Sequence, residues 1–162
     1  MYNTFILSNF NYCPIIWHFC GKVYSKKIEH IQERALRFMF NDKTSSYVSL
    51  LEKCGYTTLL LRRIKTIASE VFKSLHNLNP SFMNEMFEMK NLTYDLRDSH
   101  ILFQPKFKKI TYGKNTFKYY GAHIWNVLPN NIKTCTDIVK FKSLLKTWEG
   151  PKCQCVMCNA LS

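Results

Sequence analysis

Apolar and polar residues alternate along this chain with two different periods. From Ser25 to Phe40, Ile28, Ile31, Ala35, Phe38 and Met39 fall on one arc at about 100° per residue, which predicts an amphipathic helix with that arc buried. Lys27, His30, Arg34 and Arg37 share the adjacent arc. Leu59 to Leu78 repeats the arrangement. Leu60, Ile64, Ile67, Ala68, Val71 and Leu75 form the inward stripe, and Arg62, Lys65, Lys73 and His76 gather opposite. Asn79-Pro80 closes this helix, because a residue before proline avoids the α region. A shorter helix, Ser46 to Cys54, fits between the two and stops at Gly55.

The second half reads differently. Periodicity fades between Met89 and His100, which places a boundary near residue 90. Beyond it, "KFKKITYGKNTFKYY" alternates with a period of two and predicts a β-hairpin turning at Gly113-Lys114-Asn115. "GAHIWNVLPNNIK" predicts a short helix stopped by Pro129, and Thr136-Asp137 caps a last helix with Ile138, Phe141, Leu144, Leu145 and Trp148 inward. The expected fold class is mainly α, of α+β type. It comprises a helical region (1–90), a small basic α+β region with one hairpin (91–150) and a Cys-rich tail (151–162).

Composition sharpens this picture. In 162 residues, 46% apolar content with 15% aromatics suffices for one core or two small ones. The net charge of +12 makes a polyanion the natural partner, and the charge is organised. No Asp or Glu occurs from Ser99 to Thr136, yet Lys106, Lys108, Lys109, Lys114 and Lys118 lie there among Tyr112, Tyr119 and Tyr120. Ammonium groups neutralise phosphates and aromatic faces stack on unpaired bases, so these eight residues are candidates for binding single-stranded RNA or DNA. The same alternation on a hairpin also describes a half-buried sheet. Arg34, Arg37, Arg62 and Lys65 are further candidates on the helix faces, where ordinary solvated lysines and arginines also occur.

Seven cysteines raise the question of compartment. The apolar run Phe5 to Phe19 lacks a cationic leader and is broken by Asn9, Asn11 and Pro14, so neither a secretory signal nor a membrane span is expected. Reduced thiols and an intracellular setting, cytoplasm or nucleus, follow as the expectation. Cys153, Cys155 and Cys158 form a Cys-x-Cys-x2-Cys cluster and are candidate zinc ligands. A fourth donor would have to come from His123, Cys135 or another chain. Cys13, Cys20 and Cys54 read as small buried apolar residues, Trp17 and Trp125 as core anchors, and His18 as a packed histidine.

Catalytic chemistry finds no foothold. Nucleotidyl transfer needs clustered carboxylates for two metal ions, and the acids here are scattered, without an Asp-Asp pair. Gly-Lys-Ser/Thr and Gly-x-Ser-x-Gly motifs are missing too. No catalytic residue and no small-molecule substrate is expected.

Several boxes in order carry a family resemblance across nearly the whole chain. They are Tyr-Cys-Pro-x-x-Trp at Tyr12 to Trp17, Glu-Arg-Ala-Leu-Arg at Glu33 to Arg37, Ser-Ser-x-x-x-Leu-Leu-Glu-Lys from Ser45, "GAHIWNVLP" from Gly121, and the Cys-rich tail. Together they resemble the region that follows the polymerase domain, next to its thumb, in LINE-type non-LTR retrotransposon reverse transcriptases. The polymerase domain itself has no counterpart in these residues. The resemblance implies a non-catalytic, nucleic-acid-binding segment of an RNA-directed DNA polymerase, holding template RNA or target DNA beside an upstream polymerase domain. Two other readings stand beside it. One is a docking or assembly module exposing Phe5, Ile6, Ile15, Ile16 and Trp17, and the other is a retrotransposon remnant without function.

Overall fold

Short-range start and stop signals set the first helices of the computed structural model, which describes residues 2–90, 100–108 and 113–152. A π-helical segment, Tyr2–Leu7, runs into α1 (Ser8–Asn11), followed by α2 (Pro14–His18), α3 (Lys22–Phe40), α4 (Tyr47–Cys54) and α5 (Leu59–Leu75). Asn41 ends α3 in the left-handed region, its N–H reaching the carbonyls of Arg37 and Phe38. Ser46 caps α4 by accepting from the Ser49 amide, and Gly55, at φ 66°, closes it as expected. Between them Asp42 gathers the amides of Thr44 and Ser45, the Ser45 hydroxyl and the Lys53 ammonium, the last at 3.0 Å. Those donors, Ser45 foremost, hold its carboxyl well below the usual carboxylate range.

The chain divides into two compact units, Met1–Arg63 and Ile64–Ser162. The units divide within α5, whereas the change in composition lies near residue 90. In the first unit Tyr2, Leu36, Leu50 and Leu51 form the buried cluster, with Ile6, Leu7, Ala35, Tyr47, Cys54 and Tyr56 packed against it. Here α3 departs from expectation. Its buried residues are Gln32 and Leu36, whereas Ile31, Phe38 and Met39, assigned inward by periodicity, are exposed, Phe38 by 86%. The physical reason is Glu29. Its carboxylate accepts from the Tyr47 hydroxyl at 2.6 Å and from the Leu60 amide at 2.8 Å, so this side of α3 faces α4 and the start of α5. Cys13 also departs from its expected place: it is exposed.

The second unit holds the rest of α5, α6 (Ser81–Asn84), α7 (Phe117–Val127), α8 (Asn130–Lys133) and α9 (Ile138–Thr147). Ile64, Ile67, Ala68, Val71 and Phe72 of α5 are buried, as are Ile124 and Trp125 of α7 and Phe141 and Leu145 of α9. Phe72 and Phe141 stack with ring centroids 4.3 Å apart, and Trp125 lies 6.2 Å from Phe141. Gly121 lets α7 approach closely, since a Cβ there would stand 2.9 Å from Val71 Cγ2. Asp137 caps α9, accepting from the amides of Val139 and Lys140.

The expected hairpin is not what forms at its C-terminal arm. Phe117 to Tyr120, assigned to its second strand, are the first turn of α7, because the Thr116 hydroxyl accepts from the Tyr119 amide and starts a helix there. Residues 109–112 of its first arm lie outside the described residues, as does the Cys-rich tail from Cys153. Extended pairing occurs elsewhere, as an antiparallel bridge between Met89 and Leu102. No helix among the described residues is long and apolar enough to cross a membrane.

Two outcomes follow. Glu29→Ala removes an acceptor shared by two donors and should cost about 2 kcal/mol in urea unfolding. Glu33→Ala, which breaks the surface pair with Arg37, should cost under about 1 kcal/mol. Equal losses would show that Glu29 has no special role. The second outcome concerns His18, which is buried and beside Arg63, so that its imidazole is pushed down to about 3, burial being the larger cause. The unfolded chain then binds the proton first. Stability should be greatest above pH 6.5 and fall as pH drops from there toward 3. Thermal melts of the protein and of His18→Gln at pH 7.5, 6 and 5 check this, the variant losing less on acidification.

Candidate nucleic-acid interface

The described start of the acid-free stretch, His100 and Leu102, is tied to α7 by one indole and one side-chain amide. The Trp125 indole N–H donates to the His100 carbonyl at 3.0 Å. Asn126 brackets Leu102, accepting from its amide at 2.8 Å and donating to its carbonyl at 3.0 Å. With Leu102 buried, its neighbour Phe103 is left exposed. Lys106 and Lys108 continue onto the surface, and Lys118 stands outward on the first turn of α7. Lys114 is half-buried. Among the described residues none of these four lysines forms an ion pair.

The aromatic partners divide. Tyr119 is half-buried, its ring meeting Phe107 edge-on at 5.0 Å. Tyr120, expected to stack on a base, is only 4% exposed and belongs to the core. The correction has the same origin as the lost strand, since helical spacing puts position 120 on the buried side of α7 with Ile124. Lys109 and Tyr112 lie outside the described residues.

The helix-face candidates have separate fates. Arg34 is exposed on α3. Arg37 is engaged by Glu33 at 2.8 Å and by the Lys43 carbonyl at 2.9 Å. Arg62 lies over the Tyr56 ring, 5.6 Å from its centroid, and reaches Asn11. Lys65, in the second unit, is half-buried and donates to the Lys146 carbonyl at 2.8 Å, and burial pushes its ammonium pKa down. That contact exposes what the sequence reading passed over. Lys142 and Lys146 of α9 face the same groove as Lys65 and Lys73 of α5. The signal was present as an i, i+4 lysine pair in a helix whose acids are absent, but the facing helix was not legible.

No metal site can be built from the described residues, which contain no group of three His, Cys, Asp or Glu able to hold an ion. Of the donors considered for a fourth ligand, His123 is half-buried within 3.4 Å of Gln104, and Cys135 is buried on the Asn131 carbonyl. Cys153, Cys155 and Cys158 lie outside the described residues.

The division between core and surface is testable. Tyr120→Ala should lower unfolding free energy by about 3 kcal/mol or more, whereas Lys106→Gln and Lys108→Gln should leave it unchanged within about 0.5 kcal/mol. A fully stable Tyr120→Ala protein would return that ring to the surface.

Comparison of the chain with family models, with curated proteins and with solved structures found no match in any of the three.

Proposed function

We propose that this protein binds single-stranded nucleic acid without catalysis of its own, as the segment following the polymerase domain of a LINE-type reverse transcriptase. The observation that carries the binding is the exposure of Lys106, Lys108 and Lys118 in a stretch without a single acid, where no ion pair among the described residues neutralises them. Exposed Phe103 and half-buried Tyr119 supply aromatic surface beside them. The retrotransposon origin rests on the ordered sequence boxes, and the RNA or DNA held would be template or target.

A second reading has its own observation. In the first unit Phe5, Tyr12, Ile16, Tyr24, Ile31 and Phe38 are all exposed, which favours docking of a further protein surface such as an upstream polymerase domain. Salt separates the two, because phosphate contacts weaken steeply with salt and apolar docking does not.

Fluorescence anisotropy with a labelled 20-nucleotide oligo(U) is the direct measurement. Affinity should fall by roughly a decade or more between 50 and 200 mM salt. Changing Lys106, Lys108 and Lys118 together to Gln should flatten the log–log salt slope by about 2, at about 0.7 per phosphate contact. Undetectable binding at low salt would overturn the proposal and leave docking in front.

A further inference from the structure

Four lysines outside the stretch just described line a common groove. Lys65 and Lys73 of α5 and Lys142 and Lys146 of α9 line an open groove of about 300 Å³, with Thr66, Ser69, Glu70 and Leu145 completing its walls. Lys65 and Lys73 stand eight residues apart, about 12 Å along the helix, and Lys142 and Lys146 one turn apart, about 6 Å. The groove is therefore lined by lysines from both helices.

Its charge is uneven by design of the sequence. Glu70 is the single carboxylate in the lining, and it is occupied: the Lys73 ammonium lies 2.6 Å away, and the Asn79 amide donates to it at 3.4 Å. Lys65 is held against the groove by the Lys146 carbonyl. Lys142 and Lys146 are exposed and form no ion pair among the described residues. Four cations face one anion.

The lining also says what cannot sit there. A cation would be repelled, and Leu145 is the one apolar residue in the lining, the rest of its apolar surface being lysine stems that carry charged ends. No aromatic ring lines the groove, so bases gain no stacking. What the lining suits is an anion, and two free lysines one turn apart on an open groove match a chain of spaced single negative charges. We infer that this groove seats the phosphate backbone of single-stranded nucleic acid, with Lys142 and Lys146 as its free contacts and Glu70 as the group that weakens it. The inference rests on the nucleic-acid reading above and adds a second place where the strand is held, one that carries no base information.

The test uses the full chain with labelled 20-nucleotide oligo(dT) and oligo(U), each titrated between 50 and 200 mM salt. Lys142→Gln with Lys146→Gln should weaken both probes alike, by roughly tenfold at low salt, and flatten the slope by about 1.4, or about 0.7 for each lost contact. Lys142→Arg with Lys146→Arg should restore both. Glu70→Gln should act in the opposite direction and tighten binding severalfold, an effect that mere loss of structure would not produce. Circular dichroism melts of each variant accompany the titrations.

If the wild-type chain binds both probes and the glutamine pair and Glu70→Gln change neither affinity nor slope, the groove is not the seat, while the nucleic-acid reading stands. If the wild-type chain binds neither probe at low salt, both fall. Labelled poly-glutamate binding more tightly than oligo(dT), and lost in the Lys142→Gln/Lys146→Gln protein, would assign the groove to an acidic protein instead.

Discussion

One carboxylate organises the first unit. Glu29 sits on α3, and its two oxygens are shared between the Tyr47 hydroxyl of α4 and the Leu60 amide at the start of α5. A negative charge at a helix N-terminus meets amides that have no partner within the helix, and it also meets the positive end of the helix dipole. Burial, with the same carboxylate as the next cause, keeps the Tyr47 phenol protonated by pushing its pKa far up. Three helices are thus indexed to one another by a single side chain. The rotation of α3 follows from it: Leu36 joins Tyr2, Leu50 and Leu51, and the Ile31 and Phe38 side stays outward.

The Tyr-Cys-Pro-x-x-Trp box gains a physical meaning in this setting. Cys13 takes the left-handed region at φ 43°, and Pro14 starts α2, where its missing N–H costs nothing. The Trp17 indole then donates back to the Tyr12 carbonyl at 2.9 Å. That fixes the ring under the Arg63 guanidinium, 4.4 Å from its centroid, while Arg63 donates to Ser25 at 2.7 Å. A guanidinium only 1% exposed needs such partners, since an uncompensated buried charge is costly. His18 beside it stays neutral for the same electrostatic reason.

Charge on this protein is deployed in two ways. Arg37, Arg62 and Arg63 brace the first unit, and Lys133 is buried with its ammonium donating to the Asn126 carbonyl. Lys106, Lys108, Lys118, Lys142 and Lys146 do none of this work and stand in solvent. A net charge of +12 is therefore not spread evenly over structural and solvent-facing roles, and the solvent-facing share is what a polyanion would meet.

The helices themselves were legible because their signals are local. Ser46, Gly55 and Asp137 act within three or four residues, so α4 and α9 begin or end where the residue types demand. The inward stripe of α5 was legible too, since Ile64, Ile67, Ala68 and Val71 leave only one apolar face. Which face of α3 is buried was not, because its apolar arc is broad and the choice is made by contacts reaching from Glu29 to Leu60. The alternation of Lys106 to Tyr120 fitted a strand as well as a helix start. The Thr116 cap and the packing of Gly121 against Val71 decided for helix and took Tyr120 inward. The lysine groove needed tertiary structure most of all. Lys65 and Lys146 are far apart in the chain, and no periodicity within either helix records that the two faces meet.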